Sequence, residues 1–486
     1  MNMVLTFTQK NFFWYAANTI SSIVPGALVS LFDGSLVLAL AILSLAILSL
    51  ILTFLFIARP TWLFYFFMLF FVLGEVSFGY FLLDISLSNV FGILAAIIII
   101  IYVLLGKRFP NFLKVRQQRN IFFGLMALFA LEIISGMMNN SYRPLTTRFS
   151  QVISLLFIWF VVRSKKTLWR GFYLGIISVG ILSSLTILAG FNLNPIGYTA
   201  PISYGASPWE TYIHRSIGIS QMSGGLHGTY ILAFLPLAIL LVANGDKIGI
   251  NRWAKTISAI TAILGVLALL VASYRSGWLG LMVSLLCLVV FNYRSLRISK
   301  HGKLFILFSL VCILILILVP FRQSIYTNLH NLLFNIRSNA VEARVIQYQY
   351  ILQRISLPSS HQLFGYGYDD FSSSFMTYVA EQGIHNPEVY PWAHNYYLNF
   401  LYATGWPGFI LFLWVIFNVM RNLYQQAAST VGYIRILNMA IFASLAGIFT
   451  VLFFTAANSG LQIVWILIAA SALVNKSEPD FLVKRN

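Results

Sequence analysis

Fourteen apolar stretches run along the chain, most of them separated by short polar connections. They begin near Asn11, Ser35, Thr61, Asn89, Asn120, Phe149, Gly171, Gly228, Thr256, Ser276, Leu304, Tyr396, Ile436 and Leu461. Most meet or approach the ~20 apolar residues that a helix needs to cross a hydrocarbon core roughly 30 Å thick. The stretches at Phe149 and Ser276 are short, so twelve to fourteen spans are expected. Backbone groups in lipid must be satisfied within the segment, which makes every span a helix. The pattern predicts an all-α polytopic membrane protein. The first stretch reads as a span and not a cleaved leader, because it is long and its basic flank is Lys10 alone.

Two polar intervals interrupt this rhythm, at 191–226 and 321–393. They divide the chain into 1–320, spans with mostly short outer loops; 321–395, a large helical extracytoplasmic loop; and 396–486, the C-terminal spans. The second interval carries its own helical period. Val345, Tyr348, Leu352 and Ile355 recur at steps of three and four from Val341 onward, an amphipathic helix that Pro358 ends. Gly365-Tyr366-Gly367 reads as a tight turn. Asp370 is placed to cap a second short helix that stops near Gly383.

Composition agrees. The chain is 59% hydrophobic and 9% charged, with mean hydropathy +0.83, too apolar to cover a water-facing surface. Its net charge of +18 would suggest nucleic acid in a soluble protein, but the distribution explains it otherwise. If every segment spans, 23 basic and 3 acidic residues fall on one side, including all 11 lysines. The other side has 8 of each sign, and Glu75 and Glu132 lie within spans. A basic excess marks the cytoplasmic side, so both termini are expected there and no nucleic acid is required. Cys287 and Cys312 sit in apolar runs and read as small buried hydrophobes.

The outer basic residues are all arginines: Arg143, Arg148, Arg215, Arg275, Arg322, Arg337, Arg344 and Arg354. A guanidinium fork grips phosphate in two places at once. Arg275 lies at the tip of a short turn, Ser273-Tyr274-Arg275-Ser276-Gly277, at headgroup level. Arg337 and Arg344, seven apart, share a helix face. Pairing with the outer carboxylates or snorkelling explains Arg322, Arg337 and Arg354 well. For Arg215, Arg275 and Arg344 a ligand-gripping role is favoured. Among the loop histidines, His394 sits just before a span in Trp392-Ala393-His394-Asn395-Tyr396-Tyr397, at a depth where it can take a proton from a sugar hydroxyl. An interfacial aromatic belt with a structural histidine is the alternative. No spacing suits a metal, no phosphate-binding loop is present, and no cofactor is implied. Glu75 and Glu132 keep an ion or carrier transporter in view.

The stretch from His394 through Leu398, Leu401 and Gly405 to Gly408 resembles the "HN-x-YL-x-x-L-x-x-x-G-x-x-G" pattern of the O-antigen ligase and polymerase superfamily. Phe364-Gly365-Tyr366-Gly367 resembles its G-x-G turn, and Arg344 the arginine of its loop helix. Ser273 to Gly280 resembles its arginine-bearing turn, and Arg215-Ser216-Ile217-Gly218 its earlier arginine motif. Two positions depart: Ala403 stands where relatives often carry an acid, and Tyr348 where a tryptophan is common.

The resemblance implies a GT-C-like membrane glycosyltransferase of a bacterial inner membrane, acting at the outer face. It implies transfer of a glycan from an undecaprenyl-diphosphate carrier to an acceptor hydroxyl without a metal. The acceptor is lipid A core for a ligase and carrier-linked glycan for a polymerase. Arg215, Arg275 and Arg344 would clamp the diphosphate and His394 would act as base. Asn395 would orient His394 or a sugar hydroxyl. A lipid-linked saccharide transporter is the alternative.

Overall fold

The computed structural model describes residues 59–70, 87–104, 116–140, 152–162, 165–188, 224–271, 275–295, 338–357, 359–367, 370–384, 393–455 and 461–473. No strand occurs among them. The chain forms two compact units, 1–63 and 64–486. Of the first, only residues 59–63 are described. The helices are α1 (Pro60–Phe70), α2 (Leu87–Leu104), α3 (Arg116–Met138), α4 (Lys165–Ser178), α5 (Gly224–Asn244), α6 (Arg252–Val271) and α7 (Arg275–Ser295). There follow α8 (Ser338–Ser356), α9 (His361–Phe364), α10 (Asp370–Glu381), α11 (Tyr396–Ser429), α12 (Gly432–Leu452) and α13 (Leu461–Leu473). Among the described residues, five segments are long and apolar enough to cross a membrane: Arg119–Met138, Lys166–Leu185, Arg252–Leu269, Tyr396–Ser429 and Gly432–Leu452. Four shorter apolar helices accompany them. This is the expected all-α polytopic class. The spans expected near Asn11, Ser35 and Leu304 lie outside the described residues.

Helix α12 is buried along nearly its whole length, while α6 and α11 each expose an apolar stripe. On α6 the stripe is Ile260, Ile263 and Leu267; on α11 it is Trp406, Ile410, Leu413 and Phe417. Water would penalise these stripes, whereas lipid is as apolar as leucine. Small residues let α7 and α12 approach closely. A Cβ on Gly280 would stand 2.7 Å from the Gly447 carbonyl, and the Ser284 hydroxyl donates to the Ala443 carbonyl at 2.8 Å. This pairing of 280 with 447 and 284 with 443 makes the two helices antiparallel. It sets Arg275 level with Leu452.

Other contacts sort the remaining ends. Trp169 meets Tyr433 edge to face, and Phe291 meets Tyr424. Lys255 pairs with Asp246 at 2.6 Å. Asn422 donates to the Ser471 carbonyl at 3.3 Å. At the opposite ends, Tyr397 donates to the Phe449 carbonyl at 3.0 Å and Asn139 reaches Gly365. These contacts bring the ends of neighbouring helices together within the described residues.

Helix α11 has 34 residues, about 50 Å at 1.5 Å per residue, longer than a bilayer core. It breaks at Gly405 (φ 69°, ψ −176°), two residues before Pro407. Residues 406–429 alone suffice to span, leaving 396–404 to carry the loop. The loop helices α8 and α10 appear where expected, but the phase of α8 differs from the sequence reading. Val345 and Leu352 are about half exposed, and the buried face is Ala343, Gln347, Tyr350, Ile351 and Ile355. Tyr350 decides the phase, because it packs among Phe371, Phe375, Tyr378 and Tyr402. That aromatic cluster, with Ala393 and Leu401, fastens the loop to the start of α11.

Candidate functional site

His394 lies at a bend just before Asn395, the extended residue that leads into α11. Its backbone N–H donates to Gln347 Oε1 at 3.4 Å, and its carbonyl accepts from the Tyr348 hydroxyl at 3.5 Å. One turn of α8 thus holds the main chain of His394 in place. Asn395 caps α11: its Oδ1 accepts from the Leu398 N–H at 3.1 Å, and its carbonyl from the Asn399 N–H at 3.0 Å. Such a cap contributes about 1 kcal/mol to the helix start. The Asn395 oxygen is therefore engaged in ordering the chain beside His394.

Arg344 stands three and four residues before Gln347 and Tyr348, on the neighbouring part of the same helix surface. Burial, and then the charge of Arg344, push the His394 imidazole down to about 4. Desolvation disfavours the imidazolium, and a nearby like charge disfavours it further. At neutral pH the ring is uncharged and able to accept a proton.

Arg275 is the first residue of α7. The Trp278 indole N–H donates to the Leu269 carbonyl at 2.7 Å, tying the first turn of α7 to the end of α6. Through the α7–α12 register and the Tyr397–Phe449 bond, the start of α7 comes to the same end of the bundle as the start of α11. The structure describes the backbone of Arg275 and not its side chain. Arg215, Arg143, Arg148, Arg322 and Arg337 lie outside the described residues.

The Gly365–Gly367 turn docks on the break in α11. Pro407 has no N–H to offer Ala403, and Gly405 departs from helical geometry, so two carbonyls of α11 need other donors. The Tyr366 N–H donates to the Tyr402 carbonyl at 2.8 Å, and the Gly367 N–H to Ala403 at 3.2 Å. The Ser135 hydroxyl of α3 adds a bond to Ala403 at 2.5 Å, and Asn139 donates to the Gly365 carbonyl at 3.2 Å. Gly365 and Gly405 both have positive φ, and a Cβ on either would strike the opposing backbone. Ala403, the departure from the family pattern, takes part here through its main chain.

Residues 260–413 match the family model described as O-antigen ligase. Over that segment, about a third of its length, the chain is similar to the O-antigen ligase family. No curated protein matches it. The O-antigen ligase segment contains Arg275, Arg344, His394 and Asn395, and it ends just past Pro407; Arg215 precedes it.

Within the O-antigen ligase segment the sequence reading missed a polar group. Asp370 was expected only to cap a helix. It opens α10, and its carboxylate accepts from the Tyr402 hydroxyl at 2.5 Å and from Ser374 at 2.9 Å. Arg354, read as a surface cation, lies 4.6 Å from the centroid of the Tyr366 ring. No periodicity links residues 32 apart; the closeness of Asp370 to the glycine turn was the one available signal. A largely apolar groove of about 680 Å³ lies along the break, lined by Leu363, Trp406, Pro407, Ile410 and Trp414 among others.

Proposed function

We propose that this protein is a metal-independent, inverting glycosyltransferase of the bacterial inner membrane. It moves a glycan from an undecaprenyl-diphosphate carrier to an acceptor hydroxyl at the outer face, as an O-antigen or exopolysaccharide polymerase or an O-antigen ligase. The observation that carries this reading is an uncharged, half-buried imidazole at His394 with the Arg344 guanidinium beside it, inside an O-antigen ligase segment. A donor diphosphate binds the arginines. Its negative charge grows as the anomeric C–O bond breaks, so fixed cations favour the transition state over the ground state. Arg344, Arg275 and Arg215 supply that charge. The acceptor oxygen attacks the anomeric carbon opposite the leaving diphosphate. Its proton passes to His394, a step that contributes 10²–10⁴-fold in such catalysis. The new C–O bond is inverted, and the carrier diphosphate leaves with the bonding pair. The apolar groove at the α11 break suits an isoprenoid tail.

The test is release of undecaprenyl diphosphate from a glycan-loaded carrier by purified protein, with EDTA making no difference. His394→Ala is expected to abolish turnover while donor binding persists. Near-normal turnover in that variant removes His394 from the role of base. Carrier that crosses liposomes still loaded, with no release, replaces the transferase by a transporter.

A further inference from the structure

A second cavity, of about 500 Å³, lies away from His394, beside the Gly365–Gly367 turn. Its volume falls within the ~300–1,000 Å³ of small-ligand sites. Arg354, His361, Tyr366, Asp370 and Asn139 are among the residues that line it. The His361 ring lies nearly parallel to Tyr366, with centroids 4.1 Å apart and planes 6° apart. Tyr366 stacks in turn on Tyr402 at 4.9 Å and 20°. The Tyr366 hydroxyl donates to the Arg354 carbonyl at 3.1 Å, which locks the stack to the end of α8. The guanidinium of Arg354 lies over Tyr366, and its Nε is buried without a hydrogen-bond partner. Asp370 is fixed on one carboxylate oxygen by Tyr402 and Ser374.

Flat rings, a cationic fork and an anchored carboxylate thus share one cavity. A pyranose offers what each requires. Its C–H face stacks on a ring. Adjacent hydroxyls accept from a guanidinium and donate to a carboxylate. A metal ion would find too few ligands here, and among the described residues no group of three or more His, Cys, Asp or Glu could hold one. Ten residues of unbroken helix separate Arg354 from Arg344. At 1.5 Å per residue that is about 15 Å along the helix, which sets Arg354 apart from Arg344.

We propose that this cavity is a saccharide subsite that holds an internal sugar of the acceptor glycan while its end is presented to His394. The origin of that sugar rests on the transferase reading, but its binding does not. The probe is a set of free oligosaccharides cut by mild acid from the host's own surface polysaccharide, each carrying a photoreactive diazirine. Irradiated with the wild-type protein in nanodiscs, they are expected to label the peptide spanning 354–370. Saturation-transfer NMR on the unlabelled oligosaccharides gives affinity. Arg354→Gln and His361→Leu are each expected to weaken binding about ten- to hundredfold, the range for one lost charge-assisted hydrogen bond or ring stack. A thermal unfolding curve accompanies each variant, and the wild-type labelling decides the matter where a variant does not fold. Labelling confined to other peptides, or affinity unchanged in both folded variants, overturns the subsite. A wild-type protein that binds the probe at 354–370 but never releases carrier diphosphate keeps the subsite and loses the transferase.

Discussion

His394 must be uncharged to take a proton, and burial together with Arg344 makes it so over most of the pH scale. The acid limb of kcat/KM, which reports the free enzyme, is therefore expected near pH 4 and not near 6.5. The proposed donor diphosphate would add negative charge beside the ring, so the limb of kcat is expected at higher pH. In Arg344→Gln a like charge disappears, the imidazole pKa rises, and the kcat/KM limb moves upward. A pH–rate profile of the variant that matches wild type would separate Arg344 from His394. At Arg275 the shape of the cation matters as well as its sign. Lysine there keeps the charge and loses the fork, and turnover is expected to fall by tenfold or more. Full activity in Arg275→Lys would end the case for a bidentate clamp.

At the scale of elements, the break in α11 is a backbone device. Gly365→Ala and Gly405→Ala each combine a positive φ with a main-chain clash and are expected to cost about 1–3 kcal/mol or more. Ser135→Ala leaves Ala403 with one donor fewer and should cost about 1 kcal/mol. Thermal unfolding in nanodiscs measures all three; an unchanged midpoint for both glycine variants would refute the docking of turn on break. The helices themselves were legible, because lipid leaves the backbone no other choice. So were the ends of α8 and α10, through Pro358 and Gly383. The phase of α8 was not, since its buried face includes the polar Gln347 and depends on Tyr350 meeting aromatics from two other elements. The partnership of His394 with Arg344, 50 residues apart, was legible only through the family resemblance. That of Asp370 with Tyr402 had no signal in period or spacing.

For the whole molecule, the charge pattern predicts which helix ends face the cytoplasm. Single cysteines make this testable in intact cells. Ser359→Cys should react with an impermeant thiol reagent added outside. Lys255→Cys should react only after the membrane is opened, and the reverse pattern would invert the molecule. The close approach of α7 to α12 carries Arg275 to the end where α11 begins. Gly280→Leu forces those helices apart, and it should impair donor binding as well as stability.

Finally, the turn before α10 is held to the break in α11 by main-chain amides, and such bonds are indifferent to side-chain identity. A chimera that receives a relative's residues between α8 and α10 should therefore still seat itself, provided the two glycines and the proline remain. Exchange of the loop surface is then free to change what the loop recognises while the anchoring hinge stays as it was.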